Sequence, residues 1–164
     1  MRMRRKSRLD ERVAACGKHL LRIENEDFYS TPVEKRYDLI DFGEVFGNNA
    51  PVMLEIGCGK GGFAFEHAKR YPEINLIAVE KISNVVIEAI EKADAENTPN
   101  LVFLNVGAEN LPFYLKPHSI SRIYLNFSCP YPKFTYRNRR LTYFRYLEIY
   151  KTLLKEGGEI RLKT

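Results

Sequence analysis

The sequence predicts an α/β protein: a mainly parallel sheet with helices on both faces, preceded by a basic N-terminal arm. From Pro51 onward, short apolar segments alternate with amphipathic ones through short links, which is typical of parallel sheets. A glycine-rich turn follows the first apolar segment. The 164 residues are enough for one domain with one core.

Five segments are predicted to be strands. Residues 52–56 form an apolar run that ends at Gly57, and residues 74–79, 101–106 and 121–127 have the same character. Runs of this length are typical of buried strands. Residues 159–163 are expected to begin a fifth strand. Ligands bind at the carboxyl ends of such strands, so the informative residues should follow each strand.

Three segments are predicted to be helices. Residues 63–70 should stop near Tyr71, because a residue before proline avoids the helical region. Residues 84–95 carry an apolar stripe at helical spacing, and residues 141–155 should stop at Gly157 and Gly158. The stripe of the second helix consists of Val85, Val86, Ala89, Ile90 and Ala93.

Residues 1–50 lack clean periodicity, and we interpret them as an arm with a short helix or two, packed on a domain formed by residues 51–164. The net charge of +5 is weak evidence by itself, but the cations form two clusters. Two basic clusters around a core suggest a polyanionic partner, although a solvated tail and a charged helix start would look the same. The clusters are Arg2, Arg4, Arg5, Lys6, Arg8 and Arg12, and Lys133, Arg137, Arg139 and Arg140.

Several classes of protein do not fit. No apolar run approaches the roughly 18 residues of a membrane span, and the basic N-terminus has no apolar run of a signal peptide behind it. Three widely spaced cysteines (Cys16, Cys58 and Cys129) argue against a disulfide framework and against a metal site. We expect a cytoplasmic protein without a metal.

The glycine turn, EIGCGKGG over residues 55–62, allows two interpretations. With Gly57, Gly59 and Gly62 it has the GxGxxG spacing of a dinucleotide fold. With Gly57, Gly59 and Gly61 after Glu55 it has the spacing of an S-adenosylmethionine loop. A carboxylate two residues before the first glycine can face the cationic end of S-adenosylmethionine but would repel a pyrophosphate, which favours the second interpretation.

Two more strand ends carry candidate ligand contacts. Glu80 ends the second strand, where a carboxylate can accept hydrogen bonds from both ribose hydroxyls. Both nucleotide interpretations predict this residue. After the third strand, either Asn105 or Glu109 could contact the adenine amino group.

The fourth strand leads into NFSCPYPK over residues 126–133, where two prolines stiffen the loop around an aromatic residue. Here the chain resembles the bacterial tRNA (guanine-N7)-methyltransferases, whose signature is Asn-Phe-Ser-Asp-Pro-Trp-Pro-Lys followed by a basic stretch and Arg-Arg-Leu-Thr. Residues 139–142 match that last part in full. Residues 1–4 (MRMR), 55–61 and 124–128 also match, and the resemblance runs from residue 1 to residue 164.

The resemblance implies a class I, Rossmann-like methyltransferase that transfers a methyl group from S-adenosylmethionine to N7 of a variable-loop guanosine in tRNA. It implies that Cys129 stands at the family's catalytic aspartate. The positions that it assigns to the cofactor are Glu55, Gly57, Gly59, Gly61, Glu80, Gly107 and Cys129, and those that it assigns to tRNA are Lys133, Arg137, Arg139 and Arg140.

The chain departs from the family at three positions: Cys129 and Gly107 stand where the family has aspartates, and Tyr131 stands at its tryptophan. The family continues past the position of Thr164, so the resemblance also implies a C-terminally incomplete chain. Its fifth strand is then expected at an exposed sheet edge, with a homodimer, aggregation or marginal stability as the result. Guanine N7 has a free lone pair and needs no general base. A neutral thiol at residue 129 therefore predicts a slow enzyme, roughly 10²-fold below the family, rather than an impossible one.

Three alternatives stay open at this stage. A family member without its carboxylates could bind RNA or cofactor without turnover, and the departures at Gly107 and Cys129 favour it. A nicotinamide-dependent oxidoreductase would share the glycine turn, but Glu55 argues against it. Cys129 could be a nucleophile like that of the cytosine-C5 methyltransferases, although those place the cysteine after the proline and here it precedes Pro130.

Overall fold

The computed structural model describes residues 4–22 and 40–164. In these residues five parallel strands form one sheet with the order β3-β2-β1-β4-β5. The order reverses between β1 and β4, which opens a crevice at their carboxyl ends. The strands are β1 (Val52–Ile56), β2 (Asn75–Val79), β3 (Leu101–Leu104), β4 (Ile120–Asn126) and β5 (Leu154–Lys163).

Helices cover both faces of this sheet, so the predicted fold class is confirmed. One face packs on α3 and α4, whose buried residues include Phe65 and Ile90. The other packs on α2 and α5 through Phe46 and Tyr150. The α-helices of the described residues are α1 (Leu9–Ala15), α2 (Phe42–Phe46), α3 (Gly62–Arg70), α4 (Ser83–Glu96) and α5 (Phe144–Leu153). None of the helices in residues 4–22 and 40–164 combines the length and hydropathy that a membrane crossing requires.

The predicted elements exist, and the bounds of three of them differ by two residues or more. β3 ends at Leu104, because the Asn105 side chain turns back and donates to the Glu80 carbonyl oxygen at 2.6 Å. α5 is shorter than predicted at both ends, and β5 begins at Leu154. Two short 3-10 segments, Ala108–Phe113 and Phe134–Arg139, were not predicted.

The glycine pair 157–158 does not end α5 as predicted but forms an irregularity within β5. Leu154 pairs with Ile120 and Glu159 with Arg122, so β5 has extra residues between these pairs. Gly157 has φ +72°, which favours glycine. A Cβ on Gly158 would lie 2.9 Å from the Lys155 carbonyl oxygen. The two glycines therefore allow the irregularity within β5 and do not end α5.

β5 lies at an edge of the sheet, as predicted, with β4 as its neighbour. The Leu162 side chain is exposed on this strand. Association into a homodimer through this edge stays a prediction.

The described N-terminal residues pack on the helices and the sheet. Leu9, Cys16 and Leu20 are buried in the same apolar cluster as α3 and α4. Leu20 forms a parallel bridge with Phe103 of β3. Residues 1–3 and 23–39 of the predicted arm, including Arg2, lie outside the described residues. The division into an arm of residues 1–50 and a domain of residues 51–164 stays a prediction.

Candidate active site

A cleft of about 210 Å³ lies at the carboxyl ends of the strands. Because β1, β2 and β4 are parallel neighbours, the residues that follow them meet at one edge of the sheet. The cleft brings together several residues predicted from separate strand ends. Those that matter for its chemistry are Gly57, Glu80, Glu109, Cys129, Tyr131 and Arg139.

The turn after β1 consists of backbone that needs glycine. Gly57, Gly59 and Gly61 have φ values of +80°, +58° and +78°. The amides of Gly57 and Cys58 both donate to the Val79 carbonyl oxygen, at 2.8 and 3.0 Å, which anchors the turn to β2. A Cβ on Gly59 would meet nothing within 4 Å, and one on Gly57 only Leu141 at 3.7 Å. The turn therefore leaves open space beside its backbone for a ligand.

Gly61 and Gly62 distinguish the two interpretations of the turn. The third left-handed glycine is Gly61, and a Cβ there would lie 3.1 Å from the Ala89 side chain of α4. Gly62 is an ordinary helical residue whose Cβ would meet nothing within 4 Å. In a dinucleotide fold the third glycine of the motif allows close packing against the helix. Here that close packing occurs at Gly61, the third glycine of the S-adenosylmethionine spacing, and not at Gly62.

Glu55 is a buried carboxylate with one oxygen left unbonded. Its side chain is only 2% exposed. Asn126 Nδ2 donates to Glu55 Oε1 at 3.1 Å, whereas Oε2 has no hydrogen-bond partner in the part of the chain that the structure describes. Burial raises the pKa of Glu55 to about 7, against the opposing effect of the Asn126 hydrogen bond. A buried unpaired carboxylate is costly, so this one is suited to a ligand that brings a cationic donor.

Glu80 lies on the cleft side of the turn and holds two loops. Its Oε2 accepts from the Gly59 amide at 3.2 Å, and its Oε1 accepts from the Ile82 amide at 3.0 Å. Each carboxylate oxygen has a second acceptor site, so Glu80 can bond the turn and ligand hydroxyls at once. Among the residues that the structure describes, no group of three or more His, Cys, Asp or Glu side chains could hold a metal ion.

At the end of β3, Glu109 occupies the place that a side chain on residue 107 would take. A Cβ on Gly107 would lie 2.5 Å from Glu109 Oε1. Glu109 lines the cleft. The Asn105 side chain is already engaged, with its amide nitrogen on Glu80 and its oxygen accepting from the Ser83 hydroxyl at 2.7 Å. Of the two candidates for an adenine contact, the geometry favours Glu109.

The loop after β4 is held in a strained backbone. Phe127 and Tyr131, at its two ends, have φ values of +49° and +41°, which cost a non-glycine residue roughly 1–2 kcal/mol. The guanidinium of Arg140 donates twice to the Tyr131 carbonyl oxygen, at 3.0 and 3.3 Å. Cys129 lies between them, exposed and lining the cleft. Strain of this kind persists where the surroundings impose it, often at functional sites.

The sequence of residues 49–164, more than two thirds of the chain, matches the model of a family described as "Putative methyltransferase". The chain belongs to this methyltransferase family. The glycine turn with Glu55 and Glu80 and the loop around Cys129 all lie within the matched residues. The match does not distinguish between methyl acceptors.

Solved methyltransferases share the fold of this methyltransferase. The 16S rRNA (adenine(1408)-N(1))-methyltransferase from Catenulisporales acidiphilia, solved with SAM, has a TM-score of 0.60 and 15% identity over 80% of this chain and 62% of its own. The antibiotic-resistance methyltransferase Kmr has a TM-score of 0.57 and 23% identity over 73% of this chain and 62% of its own. Haemonchus contortus phosphoethanolamine N-methyltransferase 2, solved with S-adenosyl-L-methionine, has a TM-score of 0.56 and 21% identity over 71% of this chain and 25% of its own.

The methyltransferase thus spans a quarter of the Haemonchus contortus enzyme and about three fifths of the other two. At these identities the likeness establishes the fold alone. That fold is the one found in methyltransferases solved with S-adenosylmethionine.

The second basic cluster of the methyltransferase is exposed beside the cleft, but its members differ in role. The Arg137 guanidinium lies 3.9 Å from the ring centroid of Phe134, and that of Arg139 lies 4.6 Å from the ring of Tyr136. Arg140 is half-buried and donates to the loop after β4. Its contact with tRNA phosphate stays a prediction. Lys133 is exposed.

The cations of the arm are largely engaged within the protein. Lys6 Nζ lies 2.6 Å from Glu88, and Arg12 Nη2 lies 2.6 Å from Glu91, both on α4. Arg5 pairs with Asp10, and Arg8 pairs with Glu11. Sequence reasoning counted these cations as a patch, because the carboxylates that meet Lys6 and Arg12 lie far away in the chain. These two pairs join the N-terminal residues to α4, whereas the pairs of Arg5 and Arg8 are local.

Sequence reasoning missed the exposed aromatic rings near the cleft. Phe134 and Phe144 are 73% and 70% exposed, and Tyr136 is 41% exposed. The signal was the interleaving of aromatic and basic residues over 131–145, which the sequence shows but which does not by itself indicate exposure.

Proposed function

We propose that this methyltransferase transfers a methyl group from S-adenosylmethionine to N7 of a guanosine in the variable loop of tRNA. The observation that carries the cofactor assignment is the buried Oε2 of Glu55, which has no hydrogen-bond partner among residues 4–22 and 40–164. When bound, S-adenosylmethionine supplies an electrophilic methyl group on a sulfonium. Its amino group and sulfonium are cationic, and a buried carboxylate is suited to such a ligand.

The remaining contacts of the cofactor follow from the strand ends. The open backbone at Gly57 and Gly59 admits the ligand, and Glu80 accepts from the ribose hydroxyls. Glu109 supplies the carboxylate for the adenine amino group, in the place of the aspartate that the family has at residue 107. A pyrophosphate fits this site poorly, because Glu55 would repel it.

The acceptor side of the cleft supports a lone-pair nitrogen as the methyl acceptor. The loop after β4 contributes Ser128, Cys129 and Tyr131 to the lining, and none of them is a carboxylate or a histidine. Guanine N7 has no proton to lose, so methylation there needs positioning but no general base. The protein's part is to hold the base at this loop and to exclude water.

The test uses two tRNA transcripts and cofactor labelled in its methyl group. One transcript is unmodified, and in the other every guanosine is 7-deazaguanosine, which has a C–H in place of N7. We expect label in the first only, and reduction followed by aniline cleavage should locate it in the variable loop. Equal label in both transcripts would contradict the N7 assignment. A tRNA substrate agrees with the cytoplasmic location predicted above.

A second candidate function is a binding module without turnover, and the neutral residues at 107 and 129 favour it. Such a protein would bind S-adenosylmethionine and RNA in calorimetric titrations but would transfer no label. Binding of NAD in preference to S-adenosylmethionine would contradict both candidates.

We predict that Glu109→Ala weakens S-adenosylhomocysteine binding by roughly tenfold, the value of a hydrogen bond to a charged group. Gly107→Asp combined with Glu109→Ala should recover most of that loss. Residue 107 has φ −76°, which aspartate adopts readily, and removal of Glu109 frees its space. Isothermal titration calorimetry of the wild type and the two variants measures both effects. If Glu109→Ala binds like the wild type, the adenine contact lies elsewhere.

We also predict that Arg137→Gln with Arg139→Gln flattens the salt dependence of tRNA binding. Each lost phosphate contact should reduce the slope of log K against log salt by roughly 0.7–0.9. Arg12→Gln is the control, because Arg12 is paired with Glu91 and should leave the slope unchanged. Anisotropy titrations at several salt concentrations give the slopes. An equal effect of Arg12→Gln would place phosphate on the arm instead.

A further inference from the structure

Residues 127–147 combine aromatic and basic side chains without a single carboxylate. This segment holds seven aromatic residues, five lysines or arginines, and no aspartate or glutamate. The chain as a whole has 21 acidic residues in 164, so a run of this length without one is a local departure from the average. This composition is typical of a surface that binds a polyanion and stacks its aromatic rings on flat groups of that ligand.

The exposed phenylalanines of the described chain lie in this segment. Phe127, Phe134 and Phe144 are 69%, 73% and 70% exposed, whereas the other described phenylalanines are buried or half-buried. These three residues lie within an 18-residue stretch of the chain. Exposed apolar groups that form one patch mark an interaction site more often than single ones do. We name Phe127, Phe134, Tyr136 and Phe144 the aromatic platform.

Three of these rings are accompanied by a cation. Arg137 lies 3.9 Å from the ring of Phe134, Arg139 lies 4.6 Å from that of Tyr136, and Lys163 lies 5.3 Å from that of Phe127. A ring that holds a cation against it offers a surface for stacking and a charge for the adjoining phosphate in one unit. Single-stranded nucleic acids are bound in this way, since every base has a face that can stack.

The aromatic platform is continuous with the cleft. Phe127 and Arg139 line the cleft, and Arg139 leads to Tyr136 on the short segment Phe134–Arg139. Phe127 also keeps a left-handed backbone at φ +49° while its side chain remains exposed. A nucleotide bound in the cleft would therefore have its neighbours near Phe127 and Tyr136.

We propose that the aromatic platform binds unpaired RNA nucleotides flanking the target base, by stacking on Phe134, Tyr136 and Phe144. The inference rests on the proposed function in that the substrate is RNA. Bases within a duplex are already stacked and cannot take up these rings, so the platform selects a substrate whose strand is open around the target. A protein partner would need carboxylates to meet the five cations, and an RNA strand brings its phosphates with its bases.

The experiment compares a short unstructured RNA oligonucleotide with the duplex that it forms with its complement. Phe134→Leu and Tyr136→Leu keep an apolar side chain but remove the ring, and Phe134→Tyr with Tyr136→Phe retains both rings. Tyr71→Leu is the matched control, because Tyr71 is 38% exposed and has Arg70 near its ring but lies outside the segment. Fluorescence anisotropy gives the affinities, and salt titrations give the slopes.

We expect each leucine variant to weaken single-strand binding by roughly tenfold at every salt concentration, with an unchanged salt slope. The exchanged pair and Tyr71→Leu should bind like the wild type, and the duplex should bind more weakly than the single strand. Leucine variants that bind the single strand at wild-type affinity would overturn the inference. Duplex binding as tight as that of the single strand would also overturn the inference. So would leucine variants that lose affinity for anionic phospholipid vesicles but keep their affinity for RNA.

The methylation assay separates this inference from the proposed function. If the leucine variants lose RNA affinity but no chain transfers label to N7, the platform stands and the N7 assignment fails. If all variants methylate tRNA with an unchanged KM, the platform is wrong and the proposed function stands.

Discussion

Above the pKa of Glu55, the Glu55→Gln variant should bind S-adenosylmethionine roughly a hundredfold more weakly than the wild type and should be harder to unfold. The loss of affinity follows from the removal of a buried charge that faces a cation, which typically costs about 2–5 kcal/mol. The gain in stability follows because the wild-type carboxylate is buried without a full set of partners.

The pH dependence of stability has a defined sign. Burial raises the pKa of Glu55 from 4.5 to about 7, so the folded chain retains a proton that the unfolded chain loses between these values. The free energy of unfolding therefore falls as pH rises through this window and levels off above it. The total is on the order of 3 kcal/mol. In Glu55→Gln this contribution is absent, since glutamine does not titrate.

Cofactor binding should have the opposite dependence on pH. A cationic ligand favours the ionised form of Glu55, so the affinity should strengthen as pH rises toward about 7 and level off above it. Titrations in two buffers of different ionisation enthalpy would detect the proton that is released. Urea unfolding at several pH values gives the stability.

Glu66→Gln is the control, because Glu66 is an exposed residue of α3. It should alter neither quantity. If Glu55→Gln binds S-adenosylmethionine as tightly as the wild type does, Glu55 is a buried structural residue.

Cys129→Asp should raise the rate of tRNA N7-methylation by about tenfold, or about 1.4 kcal/mol off the barrier. Residue 129 is exposed at the cleft, in the loop that Phe127 and Tyr131 bound, and cysteine and aspartate differ little in size. A carboxylate there would face positive charge as it develops on the purine, an interaction stronger in the transition state than in the free enzyme. Counting label transferred from cofactor to tRNA measures the rate.

Cys129→Asn separates charge from shape. It has nearly the form of aspartate without the charge and should methylate at about the wild-type rate. Equal rates for the asparagine and aspartate variants would show that charge at residue 129 does not matter. Complete loss of activity in Cys129→Asn would support the hypothesis that Cys129 is a nucleophile and would contradict the proposed function.

The core strands and helices could be predicted because their signals are local. β1 is bounded by Pro51 and Gly57, and α3 ends at Arg70, because Tyr71 precedes a proline and avoids the helical region. The turn with Glu55 could be located for the same reason, since Glu55 and the glycines that follow it lie within a few residues of one another. The choice between Gly61 and Gly62 as the third glycine needed Ala89 of α4, which lies against only one of them.

The sequence by itself determined the order of strands and helices, the carboxylates at two strand ends, and the family resemblance, because each depends on residues adjacent in the chain. The tertiary structure decided which charges are free: Lys6 and Arg12 meet carboxylates of α4, and Arg140 holds a carbonyl oxygen. It also decided that Glu109 fills the space at Gly107 and that Phe134 is exposed. The physical reason is that pairing and exposure depend on what folding brings alongside a residue, and a one-dimensional pattern does not contain that information.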